Sequence, residues 1–116
     1  MPDDFTIAEE ACRGRAALLR VRGRLDARSA PSLLRSGSAV RDRAENLILD
    51  LSGVTFMASS GLGSLLSLAE EFRQRGLRVR IASPSPAVDS VIRLLNLHDF
   101  LAIDPSEEAA LHALDS

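Results

Sequence analysis

The sequence predicts an α/β fold, a mixed β-sheet flanked by α-helices in the order β-β-α-β-α-β-α-β-α, and three observations predict it. Leu47, Ile48 and Leu49 form an apolar run closed by Asp50, the pattern of a strand covered on both faces. Shortly after it, Leu62, Leu65, Leu66, Ala69 and Phe72 recur at helical spacing. The two periodicities then alternate to the end of the chain, which implies right-handed crossovers between strands of one sheet. With 116 residues, no Gly/Ser-rich linker and no repeat, a single domain over 1–116 is expected.

Each element has its own warrant. Residues 5–10 and 16–22 are short, partly β-branched segments separated by Cys12, Arg13 and Gly14, and so read as two strands joined by a turn. Ala30, Leu33, Leu34, Gly37 and Val40 follow helical spacing, with Pro31 tolerated in the first turn and Gly37 expected to weaken the helix. The strand over 47–50 should be central. On the next helix Ser64, Ser67, Glu70, Glu71 and Gln74 occupy the face opposite the apolar one, and the helix ends near Gly76. Residues 77–82 alternate Leu77, Val79 and Ile81 with Arg78 and Arg80, as a strand does. Ser85 and Pro86 make a helix start that Val88, Val91, Ile92 and Leu95 continue to a stop at Asn96. Residues 100–103 form a brief fifth strand, and Ser106 with Glu107 and Glu108 opens a last helix burying Ala110, Leu111 and Leu114.

Composition excludes whole classes of chemistry. Hydrophobic residues at 46% and charged residues at 26% exclude disorder and a membrane span. A net charge of −2 disfavours generic nucleic-acid binding. All fourteen basic residues are Arg, so there is no P-loop lysine and no Schiff-base amine. Phe is the only aromatic type, a poor supply for base stacking. Cys12 stands alone, which excludes an internal disulfide and a CxxC knuckle, and the first ten residues lack the order of a signal peptide; a cytoplasmic protein is expected. Gly61, Leu62 and Gly63 begin a dinucleotide fingerprint that fails at Leu66, no GxSxG elbow exists, and His98 and His112 have no triad spacing to Ser59. No catalytic residue, metal site or cofactor is expected. Arg73, Arg75, Arg78 and Arg80 read as a solvated face complementing a helix C-terminus rather than a nucleic-acid site.

The place for function is the segment after the central strand, where loops feed helix N-termini. It places Ser59 and Ser60 beside Gly61 and Gly63 at the start of the clearest helix. Two readings of the hydroxyls stand. One is helix capping, which stabilises by roughly 1 kcal/mol. The other is phosphoryl acceptance, favoured where free N–H groups and the helix dipole welcome an anion. The glycines either admit the close approach of another protein or pack tightly on the sheet.

The segment Leu47-Ile-Leu-Asp-Leu-Ser-Gly-Val-Thr-Phe-Met-Ala-Ser-Ser-Gly-Leu-Gly63 resembles the signature of the STAS domain, the family of bacterial anti-sigma factor antagonists. Gly23-Arg-Leu-Asp26 resembles the family's Gly-x-Leu/Ile-Asp turn, Ser83-Pro-Ser-Pro86 its loop after the fourth strand, and Leu94-Leu-Asn-Leu97 with Phe100 its closing helix and strand. The resemblance implies that Ser59 is the phosphoacceptor. It implies that the unphosphorylated form binds an anti-sigma factor that is also a serine kinase, freeing a sigma factor, and that a PP2C-type phosphatase reverses the modification. With loops converging at one sheet edge and the first turn of the helix exposed, the expected partner surface comprises Asp26, Ala58, Ser59, Ser60, Gly61, Leu62, Gly63, Ser64, Ser83 and Ser85, and neither nucleic acid nor membrane is expected to bind directly. Ala58 departs from the family's usual Asp before the phosphorylated serine. The alternatives are a constitutively docking STAS scaffold, such as a subunit of a signalling complex or transporter, and a nucleotide-binding module.

Overall fold

A computed structural model describes residues 5–115, so Met1 to Asp4 and Ser116 of the expected domain lie outside the described residues. The order is β1 (Thr6–Cys12), β2 (Ala16–Leu25), α1 (Ala30–Asp42), β3 (Asn46–Met57), α2 (Ser59–Gln74), β4 (Val79–Ala82), α3 (Pro86–Leu94), β5 (Ala102–Asp104) and α4 (Glu107–Leu114). The strands lie side by side in chain order in one five-stranded sheet, with β3 in the middle. β1 runs antiparallel to β2 through the turn at Gly14, whose φ of 71° suits glycine, and all other pairs are parallel.

Because each crossover steps to the next neighbour in the same direction, right-handedness places α1, α2 and α3 on one face. There Leu33, Leu65, Leu68, Phe72, Val88 and Ile92 pack on Leu19, Leu47, Leu49 and Leu51. The other face is left to α4, whose Ala110 covers Leu18, Ile48 and Ala82. Gly37 marks the contact of α1 with α2, since a Cβ there would come within 2.7 Å of Leu68 Cδ2. The glycine that costs helix propensity thus permits close packing.

Four expectations need correction. The central strand does not stop at Asp50 but runs to Met57. Its pairing with β2 shifts register twice, between Arg20 and Arg22 and between Gly23 and Arg24, each time with one extra residue on β3. These two bulges turn Leu51, Val54 and Met57 inward at every third position, so the alternation of a regular strand is missing. Ser64 does not lie on the solvent face of α2: it is buried, and its hydroxyl donates to the Gly61 carbonyl at 2.6 Å. Phe100 lies outside the fifth strand, in a turn, and is 74% exposed. The arginines at 73–80 do not form one solvated face. Arg80 pairs bidentately with buried Asp104 at 2.8 and 2.9 Å, and Arg78 donates to the carbonyls of Ala113 and Leu114 at the end of α4.

Candidate functional site

The β2–β3 ribbon overshoots β4 and carries the start of α2 to the end of the sheet. β3 pairs with β4 only over residues 47–50, whereas its pairing with β2 continues to Leu25 opposite Met57. The chain then turns through one residue, Ala58, whose N–H donates to the Leu25 carbonyl at 3.0 Å. Gly61 secures this junction. A Cβ on it would lie 2.8 Å from Leu25 Cγ and closer still to the Leu25 carbonyl oxygen, so only glycine lets α2 begin against β2. Gly63 is different: it is exposed, and a Cβ there would meet nothing within 4 Å. Of the two readings of these glycines, close packing explains Gly61 and leaves Gly63 open to an approaching molecule.

The N-cap of α2 is Ala58, in extended conformation with no side-chain cap, so capping by Ser59 is overturned. Ser59 is the first helical residue; it is exposed, and its hydroxyl has no hydrogen-bond partner among the described residues. Ser60 is half-buried beside it. The first turn carries no acidic residue, so its orphan N–H groups and the positive end of the helix dipole are uncompensated by side chains. Leu62 and Ser64 point into the protein. An anion attached to Ser59 would therefore sit in water at a helix N-terminus, which stabilises it.

Asp26 reaches the same end through the pairing of β2 with β3. The Arg28 N–H donates to its Oδ1 at 3.0 Å, and this bond, with further bonds from Ser29 and the charge of Arg24, holds the carboxyl below its ordinary range despite some desolvation. Ser29, buried, braces the turn by donating to the Arg24 carbonyl at 2.7 Å and accepting from the Asp26 N–H at 2.9 Å. The loop after β4 is held elsewhere. Ser85 N–H donates to the Leu51 carbonyl at 3.2 Å, six residues of β3 short of Met57. Ser85 is moreover buried as the N-cap of α3, accepting from Val88 N–H, while Ser83 turns at a φ of 51° and bonds to Asp104 and Pro105. The structure thus brings Asp26, Ala58, Ser59, Ser60 and Gly63 to one end, and it turns Leu62, Ser64 and Ser85 inward.

Sequence reasoning passes over two residues here. Arg24 lies with its Cζ 4.2 Å from the Phe56 ring centroid, across the exposed face of the ribbon. The alternation of Arg20, Arg22 and Arg24 along one strand face was the available signal. No cluster of three or more metal-ligating side chains occurs among the described residues, and none of their helices is long and apolar enough to cross a membrane.

Residues 8–110 match the STAS domain family. The chain belongs to the STAS domain family. Within it, the chain is 32% identical over 101 residues to the anti-sigma-F factor antagonist RsfA of Mycobacterium tuberculosis, covering 84% of this chain and 79% of that protein. It is 27% identical over 100 residues to the anti-sigma F factor antagonist of Paenibacillus polymyxa, covering 84% and 86%. Among solved structures, an anti-sigma factor antagonist from Mycobacterium paratuberculosis superposes with a TM-score of 0.86 at 27% identity, covering 100% of this chain and 98% of that one.

Proposed function

We propose that this STAS protein is an anti-sigma factor antagonist whose unphosphorylated form binds an anti-sigma factor, and that phosphorylation of Ser59 by that partner's serine kinase activity switches binding off. A PP2C-type phosphatase restores the binding form. The chain is then substrate and ligand rather than enzyme, and its work is done in the cytoplasm.

The observation that carries this reading is the state of Ser59, exposed on the first turn of α2 with a hydroxyl that neither caps the helix nor bonds to another described residue. A kinase can reach that oxygen without local unfolding. The physics of the switch needs no refolding. A phosphate adds about −1.5 to −2 charges at neutral pH, which the helix N-terminus tolerates but a close interface does not, because desolvating it there is costly. The relatives' names supply the class of partner. Ala58 holds the position where the family commonly has Asp, so the reading includes no step that uses a carboxylate there.

The test is incubation with ATP and each candidate anti-sigma kinase, locating by fragmentation a mass gain of roughly 80 Da, one phosphoryl group. The gain should fall on Ser59 and vanish in Ser59→Ala, which still binds, while Ser59→Asp binds weakly. If both variants bind like the parent, the switch is wrong and the protein docks constitutively.

A further inference from the structure

We infer that the open sheet face carrying Arg22, Arg24 and Phe56 is a docking surface for an acidic, extended segment of a protein partner. The inference stands apart from the reading of Ser59 and does not depend on its modification.

The face is uncovered because α4 stops short of it. Ala110 of α4 shields Leu18, Ile48 and Ala82, and the ribbon then continues with Arg22, Arg24, Ser52, Thr55 and Phe56 in solvent. Phe56 is 41% exposed, one of few large apolar side chains so placed. The boundary is set by Arg20, whose charge is spent on Glu10, Asp50 and Glu107. Beyond that row the balance changes. On this face Arg22 has no carboxylate partner among the described residues and Arg24 has only Asp26 at 3.7 Å, while Arg15, Arg28, Arg35 and Arg78 lack one elsewhere in the molecule. Past Arg20 this strip of the face therefore carries two guanidinium groups against the single carboxylate of Asp26.

The stem of Arg22 and the guanidinium of Arg24 are also held in place. Gly53 has no side chain, and a Cβ there would lie 2.7 Å from Arg22 Cγ, so the Arg22 stem lies across the strand at that point. Arg24 rests on the Phe56 ring at 4.2 Å. Arginines braced in this way lose less conformational freedom on binding than free ones. Two residues apart on one strand face, they stand about 6.6 Å from each other along the strand, the spacing of alternate residues in an extended peptide. Carboxylates at i and i+2 of such a segment match them, and the exposed Phe56 edge receives the methylene stem of the one that faces Arg24. A nucleic acid fits less well, since the acidic whole repels a polyanion longer than the strip.

The test uses the intact ¹⁵N-labelled protein and a twelve-residue peptide alternating Glu and Thr, with the Gln–Thr peptide and a twelve-nucleotide single-stranded DNA as comparisons. Amide shifts should move for residues 21–25 and 53–57 with the Glu peptide, and the affinity should fall several-fold from about 50 to about 300 mM salt. Arg22→Gln with Arg24→Gln, which keeps both stems, should weaken the peptide about five- to tenfold with the spectrum otherwise unchanged. The inference is overturned if the Gln–Thr peptide binds equally, if the shifts cluster elsewhere, if the double variant binds like the parent, if the DNA binds more tightly, or if millimolar peptide moves nothing. Peptide binding without capture of any anti-sigma factor would sink the proposed function and leave this surface standing.

Discussion

Replacing Gly61 and Gly63 by alanine, one at a time, should move stability in opposite directions although the two lie two residues apart in the same helix. In a helix interior alanine is favoured over glycine by about 0.8–1 kcal/mol. At Gly63 nothing opposes that gain, because the new methyl meets open space, so Gly63→Ala should stabilise by about 0.5–1 kcal/mol. At Gly61 the methyl would collide with Leu25, including its backbone oxygen, which cannot rotate away. Relief requires the start of α2 to move off β2, which strains packing by about 1–3 kcal/mol. It also breaks the bond from Ala58 N–H to the Leu25 carbonyl, a further cost of about 1–3 kcal/mol for the groups left unpaired. After the propensity gain, Gly61→Ala should lose about 1–5 kcal/mol, a large part of the 5–15 kcal/mol typical of a domain. Urea unfolding followed by circular dichroism, with unchanged m-values, measures both. A Gly61→Ala variant as stable as the parent would refute the account of the β2–α2 junction, and a destabilised Gly63→Ala would refute the claim that Gly63 faces open space.

Three further outcomes follow from the packing and the electrostatics. Phe72→Ala empties the largest fully buried side chain between α2 and the sheet and should cost about 3–5 kcal/mol in the same denaturation assay. Ser85→Ala removes a buried N-cap oxygen and should cost about 1 kcal/mol, whereas Ser59→Ala should leave stability within about 0.5 kcal/mol, because Ser59 caps nothing. Asp26, whose carboxyl titrates below its ordinary value of 3.8, contributes stability that is complete above that value and is lost as the pH falls through its lower folded pKa. Unfolding midpoints measured across that acid range should fall more steeply for the parent than for Asp26→Asn, and equal slopes would contradict the turn described around Arg28.

The sequence made most of the fold legible where side-chain chemistry and geometry coincide. Ser85 before Pro86 and Ser106 before Glu107 cap α3 and α4 as capping preferences lead one to expect, and Leu47, Ile48 and Leu49 lie in the central strand. The failures have physical causes. The last seven residues of β3 were hidden because two bulges space Leu51, Val54 and Met57 by three, a pattern that belongs to neither regular period. Ser64 was misplaced because a short hydroxyl can satisfy itself on the carbonyl three residues back and be buried at little cost. Leu68, fully buried between α1 and α2, was passed over for its half-exposed neighbours Leu66 and Ala69. At the candidate site, the place after a strand and before a helix pointed to Ser59 and Ser60 together, and the resemblance to the STAS signature singled out Ser59. Its freedom from capping was not legible, since cap preferences favour a serine over the alanine that takes the position. Nor was the bond from Ala58 N–H to the Leu25 carbonyl, which depends on the pairing of β2 with the unforeseen part of β3.

Titration calorimetry of the partner anti-sigma factor against the protein with Ser59 unmodified, and against the same protein carrying phosphate at Ser59, tests the central claim most directly. An interface that excludes the phosphate by only about 2.7 kcal/mol separates the two dissociation constants about a hundredfold, and the account predicts at least that weakening. Equal affinities for the two forms would contradict it.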